Sequence, residues 1–378
     1  MGLEPDSFPI RTLRHRAKLH IPAPTESFKV KTVLITGASG GICSEAARIL
    51  IDLGAERLIF GVRNLDKGKK LAEELTGNFK DGDGPEILVW SLELKSFASV
   101  REFAQKAASL PRLDNVIIGA ATALNERKVS EEGWEETLKI NHLSNALLTI
   151  LLLPTLASSA EKYKINPVLT NISSWSILSS GFFAKKWWKV RKGDLLKNIS
   201  YHTKPAGSGL EYGHSKIVYL YFIRELCDKL DKGIDEREGS IIINSVDPGT
   251  ASTYLTELFM AKGPQSLFLK YIRRPTEHCA RTVVNACIPR LETHGKLIVD
   301  LSVSTYPKYM EKPKGRQVQT GFWEETKAAL EKFSPGVSPY FDDIEAGRYP
   351  TPSHKESHAN PSIQDSVVTE GNPETPES

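Results

Sequence analysis

The stretch Lys31-Thr32-Val33-Leu34-Ile35-Thr36-Gly37-Ala38-Ser39-Gly40-Gly41-Ile42-Cys43 decides the fold of this 378-residue chain. Its short apolar run, Thr32–Ile35, reads as a buried strand that passes directly into a turn of glycine, alanine and serine. Behind the turn, Ile42, Ala46, Ala47, Leu50 and Leu53 share one face of a helix, and Gly54 supplies its stop. Small residues let a backbone turn tightly and approach an anion, while the first N–H groups of a helix point outward without intrahelical partners. A tight glycine turn that binds nothing is the competing reading. The placement between a first strand and an amphipathic helix favours a pyrophosphate cradle.

The same alternation continues outward. Leu58–Val62, Ile87–Leu92, Val116–Ile118, Val168–Ile172, Ile241–Val246 and Lys296–Val299 read as further strands. Helices are expected from Leu65 to Leu75, from a Ser96 N-cap to about Leu110, from about Glu131 to Leu153, over Tyr212–Leu230 and over Thr276–Ile288. Seven strands interleaved with six helices predict an α/β fold, one Rossmann-type doubly wound parallel sheet with helices on both faces. Residues 1–29 then form an N-terminal extension and residues 30–335 the α/β domain, with an insert at 175–208. The remainder, 336–378, turns rich in Pro, Ser, Glu, Asn and Thr after about Tyr340 and is expected to stay disordered, having too little apolar surface to bury.

Bulk composition narrows the function. Forty-nine basic against 46 acidic side chains leave a net charge of +3, far from the basic excess of a dedicated nucleic-acid binder. Cys43, Cys227, Cys279 and Cys287 are widely spaced and read as reduced thiols in a cytosol-like compartment, so the chain is expected to be cytoplasmic. The nine histidines include no metal-binding pair at helical spacing. The longest greasy stretch, Ala146–Leu156, is interrupted by Thr149, Pro154 and Thr155, short of the roughly 20 apolar residues that cross a bilayer.

Two further patterns carry chemistry. Arg63-Asn64 ends the second strand, where the adenosine ribose of a dinucleotide would lie, and no carboxylate follows until Asp66. An acidic residue there accepts from a free 2′-hydroxyl, whereas arginine pairs with a 2′-phosphate, so NADP(H) is expected over NAD(H). Tyr212 and Lys216 stand four apart at the start of a helix, hence on one face. A phenol is a poor base near neutrality unless an adjacent cation favours its ionised form. Taken alone, Tyr-x-x-x-Lys is usually structural; beside a dinucleotide cradle it reads as a catalytic pair.

With these motifs the chain resembles the short-chain dehydrogenase/reductase family. The matching residues are Thr36-Gly37 with Gly41-Ile42, Asn141, Asn171-Ile172-Ser173-Ser174, Tyr212 with Lys216, and Asp247-Pro248-Gly249-Thr250. Val62-Arg63-Asn64 and the Trp-rich insert are similar to the retinol-dehydrogenase-like and WW-domain-oxidoreductase-like branch, and the proline-rich ends to fungal members attached to secondary-metabolite pathways. The resemblance implies NADP-dependent reduction of a carbonyl, or oxidation of the matching alcohol. It makes Tyr212 the general acid, with Lys216 lowering its pKa and binding the nicotinamide ribose. Ser174 polarises the substrate oxygen, and Asn141 bends its helix and holds a water linking Lys216 to solvent.

Cofactor contacts are implied from Gly37, Ser39, Gly41 and Ile42 in the cradle, and from Arg63 and Asn64 at the ribose. Glu93 and Leu94 would lie by the adenine and Ala120 by the sheet-side ribose; Pro248, Gly249, Thr250, Ala251 and Thr253 would flank the nicotinamide. Three departures stand out: Cys43 replaces the third glycine of the cradle, Gly119-Ala120-Ala121-Thr122 replaces Asn-Asn-Ala-Gly, and Glu93 replaces an aspartate. A non-redox cofactor-binding scaffold or sensor, and an enzyme of this fold recruited for isomerisation, dehydration or cyclisation, remain as alternatives.

Ser174 and Tyr212 lie thirty-eight positions apart, so the 175–208 insert must start and end near the reaction centre. Its stretch 182–192, Phe-Phe-Ala-Lys-Lys-Trp-Trp-Lys-Val-Arg-Lys, is read as a lid with aromatic walls for a bulky apolar substrate. A surface-packed loop whose tryptophans fill a satellite core, and peripheral contact with a membrane surface, are the other readings. His142 is expected to be a packed helix residue, and His214 to face away from Tyr212. By resemblance, a homodimer would pair through the long helix after Glu131 and the Tyr212 helix.

Overall fold

In the computed structural model, which describes residues 18–77, 79–80, 83–124, 126–177, 187, 189–202, 210–231, 239–251 and 273–351, strand β1 (Thr32–Thr36) is buried at every position. Successive side chains of a strand point to opposite faces. Val33 and Ile35 enter one apolar cluster, with Ala46, Ala47 and Leu50 of helix α1 (Gly41–Asp52). Leu34 enters the other cluster, on the opposite face. A strand covered on both sides needs a continuous apolar run, which is why this segment lacks the alternation of a half-exposed strand.

The remaining strands follow in chain order: β2 (Arg57–Val62), β3 (Glu86–Ser91), β4 (Asn115–Ile118), β5 (Val168–Ile172), β6 (Ile242–Asp247), β7 (Thr250–Ala251), β8 (Arg273–Arg274), β9 (Leu297–Val299) and β10 (Ser302–Ser304). Eight of the strands form one sheet in the order β10-β9-β6-β5-β4-β1-β2-β3, while β7 and β8 make a separate pair. From β3 to β9 all pairings are parallel. The expected Rossmann-type sheet is therefore present, and its order reverses between β1 and β4, opening a crevice at their carboxyl ends. The edge strand β10 exceeds the expected seven. It folds back antiparallel on β9 through Asp300 and Leu301, both with positive φ (49° and 68°), a conformation for which leucine gives no sequence signal.

The helices after α1 are α2 (Leu65–Thr76), α3 (Phe97–Ala107), α4 (Glu136–Tyr163), α5 (Leu195–His202), α6 (Leu210–Leu230), α7 (Thr276–Ala286), α8 (Lys308–Glu311), α9 (Pro313–Phe333) and α10 (Ser338–Glu345). Ser96 caps α3 as expected, its hydroxyl accepting from Ser99 N at 3.2 Å. Helix α4 runs ten residues beyond the expected end at Leu153, straight through Pro154. An interior proline costs about 3 kcal/mol. Leu147, Leu148, Ile150, Leu152, Leu153 and Leu156 are all fully buried, at roughly 1.5–3 kcal/mol each, so tertiary packing outweighs the break. By length and composition α4 is apolar enough to cross a membrane, but 83% of its apolar window is buried inside the fold.

Order extends past the expected boundary of the tail. Val318, Phe322, Thr326 and Leu330 of α9 recur every four residues and are buried on one face. Trp323 stacks on Phe222 of α6 with ring centroids 5.3 Å apart, and Phe341 of α10 meets Trp323 edge-on at 5.1 Å. Tyr349 accepts a hydrogen bond from Ile241 N at 2.9 Å. The tail expected from residue 336 is thus folded to at least Tyr349; residues 352–378 lie outside the described residues. At the other end, Ile21 and Phe28 of the expected N-terminal extension are buried in the fold. Helix α9 packs on α6, and α10 packs on both α6 and α4.

Candidate active site

The crevice at the sheet reversal is built by two loops in contact. Gly37 follows β1 with φ +72°, and a Cβ there would stand 2.9 Å from the Cα of Ala120, which follows β4. Thr36 clamps the second loop: its hydroxyl accepts from Gly119 N at 3.0 Å and from Ala120 N at 3.1 Å. At the start of α1, Gly40 has extended backbone, no side chain caps the helix, and the first turn carries no acidic residue. Beside Gly40 a Cβ would meet nothing within 4 Å. The N–H groups of this turn are free of side-chain caps, so Gly37, Ser39, Gly41 and Ile42 fit a dinucleotide pyrophosphate.

The departures at Cys43 and Gly119 answer one another. A Cβ on Gly119 would fall 2.2 Å from the Cys43 sulfur and 3.0 Å from the Thr36 carbonyl oxygen. The thiol fills the space that a side chain at 119 would take. Burial pushes the Cys43 thiol up to about 12, with Lys216 pulling weakly the other way, so it acts by volume.

Around the ribose end, Arg63 and Asn64 are exposed at the end of β2. Asn64 is engaged in capping α2, its Oδ1 accepting from Lys67 N at 2.9 Å. Glu93 is partly buried, and one carboxylate oxygen accepts from Lys95 N at 2.9 Å. Leu94 is buried, its carbonyl accepting from Ser144 Oγ at 2.5 Å, which makes it part of the floor.

Ser174, Tyr212 and Lys216 come together. Ser174 follows β5, Tyr212 lies in the first turn of α6, and the serine acts on the phenol as a hydrogen-bond partner. The Lys216 ammonium lies 5.7 Å from the Tyr212 ring centroid and donates to the Ile172 carbonyl at 2.7 Å. Burial pushes the Tyr212 phenol up to about 12, with the Asp247 charge adding and the Ser174 hydrogen bond opposing. The lowering expected from Lys216 is not seen here; burial governs, and the phenol is held as an acid. Burial in turn brings Lys216 down to about 8, with Cys43 opposing.

Asn141 lies in the π-helical stretch Lys139–Ser144 at the start of α4, where a bend was expected. Its Nδ2 donates to Thr122 O at 2.8 Å and to Ser215 Oγ at 3.0 Å, and its Oδ1 accepts from Thr122 N at 2.7 Å. Ser215 Oγ donates onward to Tyr212 O at 2.8 Å. The side chain therefore ties the loop after β4 to the Tyr212 turn. Its link toward Lys216 runs through the neighbouring residue.

On the nicotinamide side, Pro248, Gly249, Thr250 and Ala251 follow β6. Gly249 has φ +85°, and a Cβ there would lie 2.8 Å from the guanidinium carbon of Arg274. Arg274 is buried, donating to Pro248 O at 3.3 Å and pairing with Asp300 at 2.8 Å. Ser215, Arg274 and Asp300 escaped sequence reasoning, as did the clamping role of Thr36. Thr36 alone had a signal, its place in the Thr-Gly motif. Thr253 lies outside the described residues.

Of the stretch 182–192, Trp187 and 189–192 are described. Trp187 is 4% exposed, edge-on to His214 at 5.2 Å and to Phe322 at 5.3 Å. That tryptophan is part of the main apolar core with Tyr221, Phe322 and Trp323, neither a satellite core nor an open wall, while 182–186 and 188 lie outside the described residues. His142 is a packed residue as expected: it is fully buried, its Nε2 lies 2.8 Å from Thr326 Oγ1, and burial brings it down to about 3. Among the described residues no group of three His, Cys, Asp or Glu is placed to hold a metal ion.

A parallel sheet reversing at a glycine cradle, with Ser, Tyr and Lys converging beside it, defines a dinucleotide-dependent oxidoreductase site. Comparison with known proteins gives the family. The short chain dehydrogenase pattern matches residues 31–178. A short chain dehydrogenase/reductase from Annulohypoxylon moriforme is 31% identical over 332 residues, 86% of this chain and 92% of that protein. Another from Cryptosporiopsis sp. is 29% identical over 325 residues, 85% and 97% of the two chains. Among solved structures, the RhlG/NADP active-site complex of Pseudomonas aeruginosa matches with a TM-score of 0.54 at 23% identity, over 74% of this chain and 97% of that one. The chain belongs to the short-chain dehydrogenase/reductase family, an oxidoreductase family that uses NAD(P). Its similar relatives include several from fungi.

Proposed function

We propose that the chain is an NADP(H)-dependent carbonyl reductase, with alcohol oxidation as the reverse, acting on a bulky apolar small molecule in the cytoplasm as part of fungal secondary metabolism. The observation that carries this reading is the convergence of Tyr212 and Lys216 on one helical face, with Ser174 acting on the phenol, beside a cradle whose helix start is uncapped. The cradle residues Gly37, Ser39, Gly41 and Ile42 would hold NADPH, which would supply hydride for the carbonyl carbon. Tyr212, kept protonated by burial, gives its proton to the carbonyl oxygen, and Ser174 donates a hydrogen bond to the same oxygen. Lys216 is the charge beside the phenol and would hold the nicotinamide ribose. Arg63, exposed at the end of β2 with no carboxylate beside it, supports the choice of NADP.

The mutual fit of Cys43 and Gly119 supports the redox reading over a non-redox scaffold, since the loop after β4 still closes on the cradle. The test is direct. Purified protein is mixed with NADPH and a panel of aromatic and alicyclic ketones, and alcohol is measured against NADPH consumed. One alcohol per NADPH is expected for at least one bulky ketone. Product formed without net cofactor turnover would transfer the site to isomerisation or dehydration.

A further inference from the structure

Between Ser174 and Tyr212 the chain leaves the sheet and returns, and the described part of this insert is held at three points by the C-terminal segment. Near its start, Tyr309 of α8 donates its hydroxyl to Ile177 O at 3.0 Å, three residues after Ser174. In its middle, Trp187 is wedged between Phe322 of α9 and His214, two residues after Tyr212. At the start of α5, the Glu325 carboxylate accepts from three backbone N–H groups: Gly193 at 3.0 Å, Leu195 at 2.9 Å and Leu196 at 2.8 Å. These are donors that the first turn of a helix leaves without partners, and a carboxylate is the group best suited to them.

The same face of α9 makes the approach close. One turn before Glu325, a Cβ on Gly321 would fall 2.6 Å from Leu195 Cδ1, so glycine lets α5 pack directly on the α9 backbone. On its other side α5 meets the segment leading into α4: Glu135 N donates to Ser200 Oγ at 2.8 Å, and Tyr201 donates to Gly133 O at 2.7 Å. Helix α5 is thus set between α9 and the loop that precedes Asn141.

We propose that Glu325 is a positioning residue for substrate selection. By pinning α5 to α9 it fixes the wall on the insert side of Tyr212, and with it the size of apolar ketone admitted. The insert works as a clasped wall and not as a swinging lid. This inference rests on the carbonyl-reduction reading above. It also places selectivity more than a hundred residues beyond the catalytic tyrosine, in the C-terminal segment.

The test uses the full chain with Glu325→Gln, which turns an NH2 donor toward N–H donors, and with Gly321→Ala, which displaces Leu195 and leaves the carboxylate intact. Amide hydrogen exchange over 193–202 is measured first, followed by KM and kcat for 2-acetylnaphthalene and for butan-2-one, and by NADPH affinity from fluorescence titration. Both variants should speed exchange in 193–202. Both should raise KM for 2-acetylnaphthalene by about tenfold, while KM for butan-2-one and NADPH affinity stay within about twofold. Unchanged exchange overturns the proposal, as does an equal shift for the two ketones, which would mark a merely structural role. A wild type that reduces no carbonyl defeats the functional reading instead, and the exchange measurement then still decides whether Glu325 holds the insert.

Discussion

The sulfur of Cys43 stands where a side chain at position 119 would have to be, 2.2 Å from the Cβ that Gly119 lacks. A space that a side chain following β4 would take is here filled from α1. The exchange couples a helix residue in the cradle to a loop that Thr36 also holds.

Gly119→Ala is therefore expected to weaken NADP(H) binding and to destabilise the fold by roughly 1–3 kcal/mol, the usual cost of overpacking. Cys43→Gly in the same chain should restore most of both. Thermal melts with and without NADP, together with titration of the double variant, read the coupling. Additive losses in the double variant would show that the two positions act separately.

Arg63 separates the two nicotinamide coenzymes. Replacing it by alanine should reduce NADPH affinity by at least tenfold, on the order of 1.5–3 kcal/mol for a charge-assisted hydrogen bond, and leave NADH affinity nearly unchanged. Fluorescence titration of both coenzymes checks this, and an equal fall in the two affinities removes Arg63 from 2′-phosphate recognition.

The buried Lys216 sets a pH dependence. Its pKa is lowered to about 8, chiefly by burial, so it carries its charge below that pH and loses it above. Tyr212, raised to about 12, stays protonated across the same range. If the ammonium assists the phenol, kcat/KM for ketone reduction in the free enzyme falls as pH rises through about 8. Lys216→Arg, permanently charged, should lose that limb whatever its absolute rate. A flat wild-type profile between pH 7 and 9 would contradict the assignment.

Much of the fold was legible because its strands are buried on both faces. Val33, Leu34 and Ile35 form an unbroken apolar run between polar or glycine neighbours, and Leu58–Phe60 in β2 and Val116–Ile118 in β4 do the same. What stayed hidden depends on long-range contacts. Pro154 reads as a helix breaker until the packing of α4 on both sides is known. The Asp300–Leu301 turn has no glycine or asparagine to announce it, and Asp300 is fixed by Arg274 from another element. Helix α9 carries its apolar stripe at Val318, Phe322, Thr326 and Leu330, but one threonine and a lysine-rich surround mask the period. In the site, Tyr212 and Lys216 were readable from their spacing, since one helix holds both. Ser174 meets Tyr212 only because β5 ends where α6 begins, which no local pattern records; the family resemblance supplied it. The role of Trp187 was misjudged for the converse reason: a basic aromatic stretch looks like a mouth until Phe322 is seen to cover it.

The claim on which the rest depends is that the Tyr212 hydroxyl delivers the proton in ketone reduction. Stopped-flow or steady-state loss of NADPH absorbance, with a bulky ketone that the wild type reduces, compares the wild type with Tyr212→Phe. The account predicts a fall in kcat of roughly 10²–10⁴-fold with NADPH affinity preserved. Equal rates in the two proteins would contradict it.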